Sequence, residues 1–260
     1  MLLENKTAVI FGAGAIGGAV ARSFVKEGAS VFLANRTRPK AETVAAEIAA
    51  AGGTVEVAEV DAYDEAAVDA YVGAVAERSG GRIDVLFNAI GMDDVQGTSL
   101  LDLAVEDFER PIVKATTTQF ITARAAARRM VKQGSGVILS ITVAPTPVPF
   151  HGGFGVASAA IEGLWRSFAA ELSPQGVRLV VLRSAGSPDA PDVQQTFIRH
   201  AAAAGITPEE FLAQASSVTL LRRLPLLEEV ANAATIMASD RASAVTAAMF
   251  NVTSGFWVDV

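Results

Sequence analysis

A chain of 260 residues, 51% hydrophobic and 19% charged, is long enough to bury a large core within a single α/β domain. Its formal net charge of −7 argues against nucleic acid or an anionic membrane surface as the main partner, because both demand a clustered basic face. The chain has no cysteine, which excludes disulfides, thiolate zinc sites and a cysteine nucleophile, and its two histidines argue against a histidine metal site. No metal is therefore expected.

The first predicted element is a buried strand over residues 7–11, an apolar run of β-forming side chains. Glycines follow directly in the spacing G-x-G-x-x-G, and helical spacing begins at residue 16. This order predicts a dinucleotide-binding turn: Gly12 allows the tight turn, Gly14 lets backbone approach a pyrophosphate, and Gly17 lets the helix pack closely. First-turn amides and the helix dipole then hold the anion; the alternative is a glycine-rich loop with no ligand. The predicted contacts are Gly12, Gly14, Ala15, Ile16 and Gly17.

Strands and helices alternate along the rest of the chain. Further strands are predicted at 30–34, 54–60, 83–87, 137–142, 177–183 and 249–252. Helices are predicted at 39–51, 64–78, 104–132, 154–172 and 227–238, and two short helical patterns mark a lid-like segment at about 187–226. The alternation predicts a three-layer, doubly wound Rossmann-type α/β fold with a mostly parallel seven-stranded sheet, in a single domain spanning 1–260.

The longest uncharged run, 137–161, has the length of a membrane span, but it contains prolines and glycines that would break a spanning helix. It is interpreted as a buried strand, a loop and the start of a helix. The N-terminus shows neither the basic region nor the cleavage site of a signal peptide. We therefore expect no membrane partner and a cytoplasmic location.

The residues that follow the second strand select the nucleotide in a fold of this kind, because they lie beside the ribose. An acid there would bind the ribose 2′-hydroxyl, but this chain has Asn35-Arg36-Thr37-Arg38. Guanidinium groups and a hydroxyl suit a 2′-phosphate, so NADP(H) is favoured over NAD(H). The predicted contacts are Asn35, Arg36 and Thr37. The alternative is that Arg36 and Arg38 are ordinary solvated charges.

Two further polar positions lie where predicted strands end. Asp61 follows the third strand and can accept a hydrogen bond from an adenine amino group, although a turn-forming carboxylate explains it nearly as well. Asn88-Ala89-Ile90-Gly91 closes the fourth strand with small residues, as the close passage of a cofactor requires. Asn is otherwise common in turns.

These pieces occur in an order and spacing that resemble the short-chain dehydrogenase/reductase family over nearly the whole chain. The glycine loop is about one residue shorter than usual in that family and has Ala15 where a glycine is usual. The other matching segments are Val60-Asp61, Asn88-Ala89, 135–138, 157–164, 169–172, 182–186 (with Ala185 in place of a proline) and 229–252. The resemblance implies a nicotinamide dinucleotide whose contacts include Asp61, Ala62, Asn88, Ala89 and Gly186.

The resemblance also implies a reaction for which this chain lacks the usual groups. Family members reduce carbonyls or oxidise alcohols with a Tyr that exchanges the proton, a Lys that lowers its pKa, a Ser and an Asn. The aligned positions hold, in that order, Phe154, Ser158, Thr142 or Val143, and Ala115. Loss of general acid catalysis costs a factor of about 10²–10⁴ in rate. Neither Tyr63 nor Tyr71 is placed to compensate, since both belong to the third strand–helix unit.

Thr142 and His151 are the catalytic candidates that remain. A threonine can orient a carbonyl, and His151 lies on the loop before the 154–172 helix with an ordinary pKa suited to proton exchange. The alternative is that His151 is a plain surface residue. Ser140 and Ser158 also lie near the expected pocket, and His200, in the lid-like segment, is a weaker candidate.

Three functions stay open, because the fold alone does not choose among them. The first is an NADP(H)-dependent oxidoreductase that acts on a small carbonyl or alcohol with a non-standard proton donor. The second is a catalytically silent nucleotide-binding or regulatory protein, and the third is a non-redox lyase or cyclase. The helices at 104–132 and 154–172 carry apolar positions on more than one face, which predicts a homodimer or homotetramer.

Overall fold

The computed structural model describes residues 1–143 and 147–258, and within them seven strands form one sheet. The strands are β1 (Thr7–Phe11), β2 (Ser30–Asn35), β3 (Glu56–Glu59), β4 (Val85–Asn88), β5 (Gly136–Val143), β6 (Val177–Ser184) and β7 (Ala248–Val252). Their order across the sheet is β3-β2-β1-β4-β5-β6-β7, and every pairing is parallel. The predicted fold class is confirmed.

Helices cover both faces of the sheet. They are α1 (Ala15–Lys26), α2 (Arg38–Ala50), α3 (Glu65–Arg78), α4 (Val105–Gln133), α5 (Phe154–Leu172), α6 (Pro191–Ala204), α7 (Pro208–Ser217) and α8 (Leu227–Ala238). Helices α1, α2 and α8 pack on one face, and α3, α4 and α5 pack on the other. Over the described ranges, no helix is long and apolar enough to cross a membrane.

Strand β1 shows why the sheet is buried on both sides. All five of its residues are buried. Val9 and Phe11 belong to the core beneath α3–α5, whereas Ala8 and Ile10 belong to the core beneath α1, α2 and α8. Alternate side chains of a strand point to opposite faces, so one apolar run supplies two cores.

The strand order places a crevice at the carboxyl ends of β1 and β4. The chain leaves β1 into α1 on one face of the sheet, and it leaves β4 towards α4 on the other. Ligands of doubly wound sheets bind where the strand order reverses in this way. Any nucleotide site of this chain is therefore expected between the residues that follow β1 and β4.

A buried ion pair ties α5 to β6 beside this crevice. Arg183 on β6 donates from Nε to Glu162 Oε1 at 2.7 Å and from Nη2 to Oε2 at 2.8 Å. Both side chains are at most 7% exposed. Two parallel hydrogen bonds between a guanidinium and a carboxylate are the strongest form of such a pair.

Replacing Arg183 with Met should lower the free energy of unfolding by about 3 kcal/mol at pH 7, since the carboxylate of Glu162 would stay buried without its main counter-charge. Chemical denaturation measures this loss. The matched control is Arg22→Met, which breaks an exposed pair with Glu47 and should cost at most about 1 kcal/mol. Equal losses in the two variants would contradict the strength assigned to the buried pair.

Candidate active site at the carboxyl ends of β1 and β4

The glycine loop keeps the crevice open because, at two of its positions, the backbone passes too close to another backbone segment for a side chain to fit. A Cβ on Gly12 would lie 2.3 Å from the carbonyl oxygen of Ala89, and a Cβ on Gly17 would lie 1.9 Å from the carbonyl oxygen of Gly12. Gly12 also has a φ of +103°, which side-chain-bearing residues rarely adopt. Both positions therefore require glycine, as the spacing predicted.

The outer side of the same loop is open. Apart from Gly14 itself, its chain neighbours and the adjoining helix backbone, no atom of residues 1–143 or 147–258 lies within 4 Å of the position that a Cβ on Gly14 would take. Gly14 is the N-cap residue of α1, and no described side chain caps that helix end. The first-turn amides, including those of Ala15 and Ile16, thus face an open cradle at the positive end of a helix dipole, which fits the diphosphate of a dinucleotide.

Asn35 at the end of β2 acts on the glycine loop from inside. Its Oδ1 accepts a hydrogen bond from Ala13 N at 3.1 Å, and its Nδ2 donates to the carbonyl and hydroxyl oxygens of Thr37 at 2.8 and 3.1 Å. Both ends of the amide are therefore engaged with the chain. Asn35 thus connects the glycine loop to the turn after β2. Any effect of Asn35 on the choice between NADP(H) and NAD(H) would therefore come through the shape of this loop and turn.

The two arginines of that turn differ in their surroundings. Arg38 Nε donates to Glu42 Oε1 at 2.7 Å. Arg36 is exposed and forms no ion pair with any residue in the described ranges. Burial, and then the charges of Asp93 and Asp61, raise the pKa of the nearby Tyr63, and the charge of Arg36 opposes them. Within the described ranges, Arg36 is thus the arginine of this turn whose guanidinium has no carboxylate partner.

Asp61 takes part in a turn after β3. Its Oδ1 accepts from the backbone N–H of Tyr63 at 3.0 Å, and its carbonyl accepts from Asp64 N at 3.0 Å. The turn interpretation is therefore correct for one carboxylate oxygen. The side chain is exposed, which leaves the other oxygen accessible, and the neighbouring Ala62 is buried.

Lys114 and Asp93 form an ion pair that the sequence did not predict. Lys114 on α4 is only 8% exposed and forms an ion pair with Asp93, which lies just after β4. The hydrogen bond from Lys114, followed by its charge and those of Arg36 and Arg110, holds the pKa of Asp93 below its usual range despite partial burial. A lysine in a helix is normally solvated, so no sequence signal marked this pair.

Asn88 is the last residue of β4, and within the described ranges only the oxygen of its side-chain amide has a hydrogen-bond partner. Its Oδ1 accepts from the Thr122 hydroxyl at 3.0 Å, whereas its Nδ2 is buried and has no hydrogen-bond partner within the described ranges. An unpaired buried donor is costly, so such a group is suited to a bound ligand or an ordered water. The neighbouring Ser140 donates to Gln119 Oε1 at 2.7 Å.

Thr142 is turned towards a carboxylate. Its side chain is buried, and Oγ1 donates to Glu162 Oε1 at 3.4 Å. A carboxylate only accepts hydrogen bonds, so the hydroxyl hydrogen of Thr142 is directed at Glu162. The Thr142 oxygen can then accept a hydrogen bond from a ligand but has no hydrogen left to donate to it. Ser158, at the family Lys position, is buried and accepts from Val143 N at 3.4 Å.

His151 lies against Phe154, the residue that the family resemblance aligns with the Tyr. Its ring centroid is 5.6 Å from that of Phe154, edge to face, and Phe154 itself packs on the core that contains Ala115. Burial, and next the proximity of His200, lower the pKa of His151 to about 4, with Asp94 opposing them. The ordinary pKa assumed for His151 therefore does not hold in the folded chain, because desolvation disfavours the imidazolium.

Aromatic rings of α6 lie against Gly186 and His151. A Cβ on Gly186 (φ +88°) would lie 3.2 Å from Phe197 on α6. His200, also on α6, is 4% exposed and lies 5.4 Å from His151 between ring centroids. It is thus a buried part of the candidate site rather than an outlying residue. Over the described ranges, no group of three or more acidic, His or Cys side chains could hold a metal.

The sequence of this chain is similar to the sequences of known proteins. A sequence model described as enoyl-(acyl carrier protein) reductase matches residues 12–257. The 3alpha-hydroxysteroid dehydrogenase of Mediterraneibacter gnavus is 29% identical over 257 residues, which cover 97% of each chain. The D-beta-hydroxybutyrate dehydrogenase of Rhizobium meliloti is 31% identical over 262 residues, covering 97% of this chain and 98% of the relative.

Solved structures share the fold at lower sequence identity. NAD⁺-bound xylitol dehydrogenase superposes with a TM-score of 0.91 at 22% identity, covering 98% of this chain and all of the other. A variant of actinorhodin polyketide ketoreductase with NADPH has a TM-score of 0.88 at 24% identity, with 96% and 97% coverage. The chain belongs to the short-chain dehydrogenase/reductase family of oxidoreductases.

Proposed function

We propose that this chain is an NADP(H)-dependent oxidoreductase of a small alcohol or carbonyl compound, in which His151 exchanges the substrate proton. The observation that carries the proposal is the half-buried imidazole of His151 against Phe154, at the place where the family has its tyrosine. A bound nicotinamide dinucleotide would supply the hydride chemistry. Related dehydrogenases named for hydroxyl-bearing compounds support this class of substrate.

The residues proposed to hold the dinucleotide divide by the part they would meet. The open cradle of the glycine loop suits the diphosphate, and the exposed Arg36 and Thr37 suit a 2′-phosphate. The full set comprises Gly12, Gly14, Ala15, Ile16 and Gly17; Arg36 and Thr37, with Asn35 acting on them and on the glycine loop through its hydrogen bonds; Asp61 and Ala62 beside the adenine; and Asn88, Ala89 and Gly186 towards the nicotinamide.

The protonation state of His151 favours the direction of alcohol oxidation. With a pKa of about 4, its imidazole is neutral at pH 7 and can accept the hydroxyl proton of an alcohol. Reduction of a carbonyl would need the imidazolium, which is present in only about one molecule in a thousand at that pH. We therefore propose His151 as a general base.

Arg36→Ala should weaken NADPH binding about 10- to 100-fold and leave NADH binding unchanged, because the variant removes a cation proposed to meet only the 2′-phosphate. Calorimetric titration with each nucleotide measures the effect without any need for turnover. Arg38→Ala is the matched control and should have a smaller effect, since Glu42 already pairs with that guanidinium. Unchanged NADPH binding by Arg36→Ala would argue against the 2′-phosphate contact.

His151→Gln should lower kcat for alcohol oxidation about 100-fold and leave nucleotide affinity unchanged, because glutamine accepts no proton at neutral pH. Wild-type kcat/KM should stay level above about pH 5 and fall as the pH drops through 4, where the imidazole becomes protonated. A panel of alcohols and NADP⁺ provides the assay, with the double variant Phe154→Tyr/Ser158→Lys as a positive control. Activity unchanged in His151→Gln would contradict the role, and a silent wild type beside an active double variant would identify a nucleotide-binding protein without turnover.

The outer face of α4 and α5 supports a proposed homodimer or homotetramer. Phe120 on α4 is 40% exposed and stacks on Phe168 of α5 with ring centroids 5.8 Å apart. Val113 and Val156, on the same two helices, are 55% and 46% exposed. An apolar face shared by two long helices suits burial against a second copy.

Phe120→Glu should shift the chain to monomers, because a charge would be buried in that contact. Light scattering coupled to size-exclusion chromatography measures the mass in solution. Leu101→Glu, at a 95% exposed position outside both helices, is the control and should leave the mass unchanged. A monomeric wild type would refute the proposed assembly.

A further inference from the structure

A buried chain of hydrogen bonds joins Asp94, Gln96 and His200. Gln96 Nε2 donates to Asp94 Oδ2 at 2.6 Å, and His200 Nε2 lies 2.7 Å from Gln96 Oε1. Gln96 and His200 are 8% and 4% exposed. A carboxylate only accepts, so the amide nitrogen must face Asp94 and the amide oxygen must face the imidazole. His200 Nε2 therefore carries a hydrogen and donates it to Gln96.

This assignment determines the tautomer of His200. With Nε2 protonated, the neutral ring has its lone pair on Nδ1, and charging the ring would require a second proton there. Phe211 of α7 stacks on His200 at 5.6 Å, and the ring of His151 meets it edge to face at 5.4 Å. The imidazole that borders His151 is thus held in one tautomer and between two rings.

One segment, residues 94–97, anchors both histidines. A Cβ on Gly97 would lie 3.3 Å from Arg199, next to His200. Gly97 N donates to the carbonyl oxygen of Phe150, the residue before His151, at 2.9 Å. Segment 94–97 therefore sets the separation and angle of the two imidazoles, although they belong to different parts of the chain.

We propose that His200 is a positioning residue for His151: the Asp94–Gln96–His200 chain holds His200 as the uncharged Nε2–H tautomer, which orients His151 and leaves it able to accept the alcohol proton. Two imidazolium rings this close would repel each other, so His151 can take up a proton only beside an uncharged His200. The inference rests on the proposed function, since His151 must act as the base.

The charged groups around the pair are consistent with an uncharged His200. Burial lowers the pKa of His200 most, the neighbouring Arg199 of α6 lowers it further, and Asp94 opposes both. For His151 the order is burial, then His200, again with Asp94 opposing. The rings supplied by α5 and α7, Phe154 and Phe211, carry no charge.

Imidazole NMR tests the arrangement directly, because the chain has two histidines and gives two sets of ring resonances. Nitrogen-15 shifts of wild-type protein should show His200 as the Nε2–H tautomer at pH 7. In Gln96→Met, which removes the acceptor, His200 should populate both tautomers, the pKa of His151 should change, and kcat for alcohol oxidation should fall about 10-fold with a smaller change in KM. Phe211→Leu is the control: it loosens the packing of the same ring but leaves the hydrogen bond, so the tautomer should persist.

An Nδ1–H tautomer in wild-type protein overturns the inference whatever the variants do, as does Gln96→Met with an unchanged tautomer. A second variant, His200→Phe, should lose about 10-fold in kcat, and His200→Asn, whose amide can donate to Gln96, should recover part of that loss. These resonances need no turnover. Failure of the proposed function, seen as full activity in His151→Gln, is therefore distinguishable from failure of the His200 tautomer.

Discussion

The close approach of Gly12 to the carbonyl of Ala89 is the constraint on which the crevice depends. Only 2.3 Å separates that oxygen from the place where a Cβ would stand, so any side chain at residue 12 would push β1 and β4 apart. The same turn directs the first amides of α1 outward past Gly14, where space is open. One glycine contact thus determines both the shape of the cradle and the direction of the helix dipole.

The buried hydroxyl groups at the carboxyl ends of β4 and β5 are hydrogen-bonded within the protein. The Thr142 hydroxyl is directed at Glu162, which Arg183 holds in place, and Ser140 is directed at Gln119. Buried hydroxyls committed to acceptors of the chain have no proton to offer a ligand. His151 differs, because burial lowers its pKa to about 4 and no acceptor within residues 1–143 and 147–258 is hydrogen-bonded to its ring, and this contrast supports the proposal that it acts as a base.

The fold was predictable because its signals are local and repeated. Apolar periodicity placed every strand, and the helices for which bounds were predicted, to within two residues; the largest differences are β3, predicted at 54–60 and observed at 56–59, and β4, predicted at 83–87 and observed at 85–88. For α6 and α7 the sequence indicated only two short helical patterns. Asp61 was ambiguous because a turn and an adenine contact need the same carboxylate, and the structure confirms the turn. Lys114 was missed because only its partner Asp93, 21 residues earlier, shows that this helical lysine is buried.

By itself, the sequence determined the alternation of strands and helices, the glycine turn, and the identities Phe154 and Ser158 at the positions that the resemblance aligns with the family Tyr and Lys. Each of these follows from residue identity and short-range spacing, which act before the chain is compact. Only the tertiary structure decided that His151 is neutral and that His200 and Gln96 belong to its surroundings. Those properties depend on desolvation and on contacts between residues 49 and 104 positions apart, which exist only once α6 packs against Gln96 and His151.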